Sequence, residues 1–259
     1  VCEMNIDAYL DPKYGIYDYF VKQKENGRIR HLGFSAHGSV DVMKRFLEVY
    51  GDKMEFGQIQ LNYLDWSFQD AKSKVALLEE YHLPVWIMEP LRGGSLSKLS
   101  EAHETKLNAL RPKEKIPAWA FRFVMSIPGV TVVLSGMSTF EQLAENIHTF
   151  EEEKPLKEME KETLLGIANE ILSQNALPCT ACRYCTSHCP QELDIPYLIY
   201  LYNEFNVTGG GFITPMVLST LPDEKKTSAC IGCRSCEQVC PQQIKISEAM
   251  ADLTQKVNA

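Results

Sequence analysis

Residues 179–190 read CTACRYCTSHCP, and residues 230–241 read CIGCRSCEQVCP. Both stretches obey one spacing: Cys179-x-x-Cys182-x-x-Cys185-x-x-x-Cys189-Pro190, then Cys230-x-x-Cys233-x-x-Cys236-x-x-x-Cys240-Pro241. Eight of the nine cysteines lie in them, and only Cys2 stands apart. Thiolate chemistry then dictates the fold of the last third. Three thiolates with two residues between neighbours let a short loop wrap three corners of an iron–sulfur cube. A fourth, further on and before a proline, leaves its own loop and reaches the neighbouring cluster. The spacing assigns Cys179, Cys182, Cys185 and Cys240 to one [4Fe–4S] cluster, and Cys230, Cys233, Cys236 and Cys189 to a second.

Two other chemistries compete and lose. Structural zinc uses paired Cys-x-x-Cys knuckles, for which the third cysteine and the Cys-Pro are superfluous. A disulfide framework belongs to small exported chains, and no stretch here joins a basic start to an apolar run. The pattern is the bacterial ferredoxin run. After the first motif Ile195, Leu198, Ile199 and Tyr202 recur at helical spacing until Gly209-Gly210-Gly211 interrupts them. After the second, Ile246, Met250 and Leu253 repeat that spacing, with Ser247 as the expected cap. Residues 177–259 therefore read as a small, mainly helical dicluster ferredoxin domain.

Upstream, short apolar runs alternate with amphipathic stretches, as in βα units around a parallel sheet. The runs are His31–Ser35, Phe56–Leu61, Pro84–Met88 and Val130–Leu134. Val42, Phe46, Val49 and Tyr50 mark a helix capped by Ser39 and stopped by Gly51. Val75, Leu78 and His82 mark the next, Ala118 to Met125 a third, and Leu143, Ile147 and Phe150 a fourth. One more helix, Lys13–Glu25, precedes the first strand and stops at Gly27. Four such strands suit either a small doubly wound sheet or half of an eight-stranded barrel, and the pattern alone does not choose. The charge-dense stretch 151–176 reads as a solvated linking helix between this region, 1–150, and the cysteine module.

The residues at the strand ends resemble a family. Arg28-Ile-Arg-His-Leu-Gly-Phe-Ser35, Gln58-Ile-Gln-Leu-Asn-Tyr63, Met88-Glu-Pro-Leu-Arg-Gly-Gly94 and Leu134-Ser-Gly-Met-Ser138, with Glu145-Asn146 after it, are similar to strands five to eight of the aldo/keto reductases. More narrowly, they resemble members that carry a C-terminal ferredoxin-like domain. The resemblance implies an α/β fold: the C-terminal part of a (β/α)8 TIM-type barrel, with ligands at the C-terminal ends of its strands. It further implies a nicotinamide dinucleotide, NAD(P). Ser35 and Gln58 would hydrogen-bond the carboxamide, and Met88 takes the place where relatives put a stacking aromatic. Glu89 and Leu91 would offer backbone groups to the pyrophosphate. Gly136, Met137 and Ser138 lead into a helix read as capped by Ser138-x-x-Glu141, whose free N–H groups suit a phosphate. Glu145 and Asn146 would reach the adenine. Taken singly, Ser35 and Ser138 also read as helix caps, Gln58 as a strand end and Met88 as core. Their joint order on four strand ends favours the site. Members that prefer the phosphorylated cofactor carry basic residues where this chain has Gly136 and Gln142, which leans the expectation to NAD, with Arg92 the one cation nearby to argue otherwise.

The family's catalytic tyrosine, lysine, aspartate and histidine come from the first four βα units. None of this chain's tyrosines or histidines matches them, so no catalytic residue is expected here. The six histidines are expected on the surface or in loops. The sequence reads as a fragment starting after the fourth strand.

The composition fits this reading. At about 150 residues per domain, 259 residues leave room for two. Hydrophobic residues at 45% and charged residues at 23% are ordinary for a folded soluble chain. A net charge of −8 argues against nucleic acid, and apolar runs such as Tyr197–Tyr202 are far too short for a membrane span. The expected function is an oxidoreductase acting on a small carbonyl or alcohol, with two clusters for electron transfer. The alternatives are a cluster-bearing electron-transfer protein with a scaffold barrel, or an inactive fragment. A redox partner protein, self-association through the open barrel edges and a cytoplasmic location complete the expectations.

Overall fold

Burial alternates along the strands, and this decides the sheet. In Gly57–Gln60 and Val85–Met88 every second residue is buried and its neighbours are half-exposed. The computed structural model describes residues 1–2, 5–179 and 181–258. In chain order its elements are α1 (Ile6–Leu10), α2 (Ile16–Glu25), β1 (Phe34–Ala36), α3 (Val40–Tyr50), β2 (Gly57–Gln60), α4 (Asp65–Phe68), α5 (Ala71–Glu80) and β3 (Val85–Met88). Then follow α6 (Glu101–Leu110), α7 (Ile116–Met125), β4 (Val130–Val133), α8 (Phe140–Glu151) and α9 (Glu158–Asn175). The last are α10 (Ile195–Thr208), α11 (Ile213–Thr220), α12 (Ser235–Gln238) and α13 (Ile246–Val257). No helix among the described residues is long and apolar enough to cross a membrane.

The four strands pair in parallel in the order β1-β2-β3-β4. A doubly wound sheet reverses its order at a switch point, whereas sequential order is that of a barrel segment. That chooses between the two architectures left open by the pattern. Phe34, Ala36, Ile59, Val85 and Ile87 point to the buried face. β2 presses on α5 so closely that a Cβ on Gly57 would lie 2.4 Å from Leu78 Cδ2. In α7 every residue from Ala118 to Val124 is buried, the mark of a core helix.

Several local expectations shift. Ser39 caps α3 through Val42 N at 3.4 Å and Gly51 ends it as the C-cap, as expected, though a 3-10 turn starts at Gly51. The cap of α8 is Thr139, not Ser138, and its partner is Gln142, not Glu141. The Gln142 amide reaches back to the N–H groups of Ser138 at 2.7 Å and Thr139 at 3.3 Å, which a carboxylate one residue earlier does not do here. Ser247 lies inside α13 rather than capping it. The linking stretch is not one helix: residues 152–157, with Pro155 among them, separate α8 from α9. Nor is its start solvated, since Glu160, Leu164, Ile167 and Ala168 are buried. His103 is buried in α6 rather than on the surface.

The chain divides into two compact units, Val1–Ala168 and Asn169–Ala259. In the second, Leu198, Ile199 and Leu201 of α10 and Ile246, Met250 and Leu253 of α13 form one core with Cys185, Cys236, Leu193 and Ile244. Gly209, at φ +68°, ends α10 in the left-handed conformation expected of it. The two cysteine loops also repeat their backbone turns. Ala181 and Gly232, Arg183 and Arg234, and Glu192 and Gln243 all have positive φ, at matching places in the two motifs.

Candidate functional site

The cysteine loops turn tightly because left-handed residues alternate with the cysteines, a backbone that aims N–H groups inward as anion-binding nests do. The chain reverses after each Cys-Pro, through Glu192 N to Cys189 O at 3.0 Å and Gln243 N to Cys240 O at 3.0 Å. As a result the fourth cysteine of each motif leaves its own loop. Cys179, Cys182, Cys185 and Cys240 line one cavity, whose walls include Ile195, Ile199 and Ile244. Cys189, Cys230, Cys233 and Cys236 line a second, walled by Leu193, Ile246 and Met250. The sets are those that the spacing assigned, four by four.

Burial pushes the Cys185 and Cys236 thiols up to about 11 and also raises Cys179. The N–H and hydroxyl of Ser235 hold Cys233 below the usual thiol value. The protein alone therefore leaves its two deepest cysteines as thiols, and a bound metal centre is what deprotonates such groups. Among the described residues no three His, Cys, Asp or Glu side chains lie close enough to hold a single ion. Each cysteine set surrounds a volume rather than a point, and that donor set in an apolar wall fits an iron–sulfur cube.

In the first unit, Ser35, Gln58 and Trp86 are in register across β1, β2 and β3, and Gln60 is in register with Met88. These residues share the half-exposed face of the sheet, where Gln58 Nε2 meets Met88 Sδ at 3.6 Å and Phe56 stacks on Trp86 at 3.8 Å. Beyond β3 the chain enters the left-handed region at Glu89 and Arg92. The Glu89 carboxylate accepts from Gly93 N, and the Leu91 carbonyl accepts from Gly94 N at 2.9 Å. Gly136, Met137 and Ser138 form the exposed turn between β4 and α8. Gln142 closes the capping box there, so its amide engages two of the N–H groups expected to face a phosphate. Glu145 is paired with Lys115, and Asn146 Nδ2 donates to Ser135 Oγ at 3.1 Å.

A buried polar centre ties these turns together and carries no signal in the sequence pattern. Asp65, fully buried, accepts from Gln60 at 2.9 Å, from Asn62 at 2.6 Å and from Arg92 Nε at 3.0 Å. Asn62 also donates to Glu89 O at 3.0 Å. Arg92 is thus buried and committed to Asp65, which removes it as the surface cation for a 2′-phosphate. Asn62 and Asp65 are three residues apart in an Asx-type turn, the one local hint available, but Arg92 is distant in sequence.

Sequential parallel strands, followed by a helical module with two four-thiol cavities, define a partial barrel joined to a dicluster domain. The chain belongs to the aldo/keto reductase family: residues 9–167 match it, and residues 178–245 match the 4Fe-4S dicluster domain. Among solved structures it is similar to the aldo-keto reductase AKR11C1 from Bacillus halodurans, in the holo form, with a TM-score of 0.50 and 22% identity. That match covers 61% of this chain and 56% of the other. Among curated proteins it is similar to acetyl-CoA decarbonylase/synthase complex subunit alpha 1 of Methanosarcina mazei, 31% identical over 52% of this chain. The corresponding subunit of Methanosarcina acetivorans is 34% identical over 39% of this chain. The matches cover only 14% and 11% of those two subunits.

Proposed function

We propose that the chain is the dinucleotide-binding and cluster-bearing part of an oxidoreductase of aldo/keto reductase type. Cys179, Cys182, Cys185 and Cys240 hold one [4Fe–4S] cluster, and Cys189, Cys230, Cys233 and Cys236 hold the other. The observation that carries this is the crossing of the fourth cysteines, which brings two complete sets of thiols to two separate cavities. Each cluster supplies a one-electron carrier.

On the barrel side, Ser35 and Gln58 would hold the nicotinamide carboxamide of NAD(P), with Met88 packed beside the ring. Glu89 and Leu91 would border the pyrophosphate, with Gly136, Met137, Ser138 and Gln142 at the last turn and Glu145 and Asn146 toward the adenine. NAD is favoured, because Arg92 is spent on Asp65 and no basic residue stands at Gly136 or Gln142. The substrate class is a small carbonyl or alcohol in the cytoplasm. The likeness to subunits of a multi-protein complex supports a redox partner protein, and the sheet edges at β4 and at β1, where Val1 alone bonds to the strand, support association of this chain with a second copy.

A hydride carries two electrons and each cluster accepts one, so conversion between them calls for a switch such as a flavin or a partner protein. EPR of the anaerobically reconstituted chain, with NADH or dithionite as sole reductant, tests the wiring. A reduced-cluster signal with NADH supports this reading. A signal with dithionite alone puts the switch outside this chain; if NADH in addition fails to bind, the reading is contradicted and the alternative stands, an electron-transfer protein whose barrel is a scaffold.

A further inference from the structure

The turn after β3 has an unfavourable backbone and is held in it from one side. Glu89, at φ +57°, and Arg92, at φ +49°, both carry side chains in the left-handed region. Such a turn keeps its shape only where its surroundings over-determine it. Here the surroundings are the turn after β2. Asn62 and Asp65 are fully buried there, and the Arg92 side chain is buried against them. The Asn62 amide donates twice, to Glu89 O at 3.0 Å and to Asp65 Oδ2 at 2.6 Å. Its oxygen accepts from Asp65 N at 2.8 Å. Arg92 Nε donates to Asp65 Oδ1 at 3.0 Å and Oδ2 at 3.2 Å, and its guanidinium lies 5.3 Å from the centre of the Phe68 ring. Asp65 thus reaches both left-handed residues, Arg92 directly and Glu89 through Asn62.

We propose that Asp65 is a positioning residue: through Arg92 and Asn62 it sets the 89–94 turn in the shape that receives the pyrophosphate of the dinucleotide. Asp65 touches no ligand, since it is sealed from solvent and its oxygens are taken by Gln60, Asn62 and Arg92. A buried ion pair is a weak source of stability, and fixing one conformation is its better use. A phosphate is bound well only by groups already in place, because ordering a loose turn costs affinity. The carboxamide and adenine ends of the site stand on β1, β2 and α8, so the turn after β3 is the part that needs this support. The inference rests on the dinucleotide reading given above and names what holds that part of the site in shape.

The test is calorimetric titration of the full, reconstituted chain with NADH and with ADP-ribose, which keeps the pyrophosphate and lacks the nicotinamide. Wild type is compared with Asp65→Asn and with the double variant Asp65→Asn/Arg92→Met. The double variant leaves no stranded charge, so it carries the test where the single one does not fold. Hydrogen exchange is followed alongside on peptides covering 89–96 and the strands 57–60 and 85–88. In wild type, NADH should bind and slow exchange in 89–96. The variants should bind both ligands about tenfold more weakly, the worth of one hydrogen bond to a charged group. Their exchange should quicken in 89–96 and stay as in wild type along the strands. Folded variants that bind both ligands like wild type overturn the inference and leave the dinucleotide reading standing. If the strands loosen or unfold in the double variant too, Asp65 serves the core rather than the turn, and the inference is wrong. A wild type that binds no NADH refutes the dinucleotide reading itself, and the inference with it.

Discussion

Each Cys-Pro turn sends its cysteine across to the other loop, so the cysteines of the two cavities interleave along the sequence. A double variant separates this from two self-contained loops. Cys182→Ala with Cys240→Ala strikes one cavity only, and iron should fall from about eight to about four atoms per chain. If each motif held its own cluster, the same pair would damage both and leave close to none. The grouping of the cysteines at two cavities is legible in the sequence because their spacing is a local, covalent constraint. The Asp65–Arg92 pair is not, because two charged side chains that meet from different turns leave no periodic trace. Replacing Arg92 with Ala would strand a fully buried carboxylate, and urea unfolding of that variant should show a loss of about 3–5 kcal/mol.

At the level of elements, strands and amphipathic helices were legible wherever one face is apolar and the other polar. α6 escaped because only His103 and Leu107 are buried in it, too few to set a period. α11 escaped because apolar residues lie on both its buried and its exposed sides, with Met216 and Ile213 turned outward. The charge run before α9 is not a solvated face, because it includes Glu160, which Arg111 clamps at 2.7 and 2.6 Å. Arg111 holds the Glu160 carboxyl below its ordinary value. The clamp therefore stabilises fully above the unfolded glutamate value of about 4.3 and is lost as the pH falls through the lowered one. Urea unfolding followed by circular dichroism should place Glu160→Gln about 1–3 kcal/mol below wild type at pH 7, with the gap closing in acid. A constant gap across pH would show that packing, not the ion pair, is at stake.

Across the whole molecule, the barrel segment leaves β1 and β4 as sheet edges, and α8 and its approach expose Leu134, Met137, Phe140, Leu143, Ile147 and Phe150. Phe140 is 87% exposed, a large apolar surface for one side chain. Sedimentation velocity should show concentration-dependent association that Phe140→Asp weakens; a monomer at all concentrations would refute it. None of this bears on the cysteine module, whose core is closed by α10 and α13. The central claim, that the module holds two four-iron clusters, is tested most directly by metal and sulfide analysis of the anaerobically reconstituted chain. About eight iron and eight sulfide per chain is the predicted result. Two zinc atoms with no iron or sulfide would contradict it.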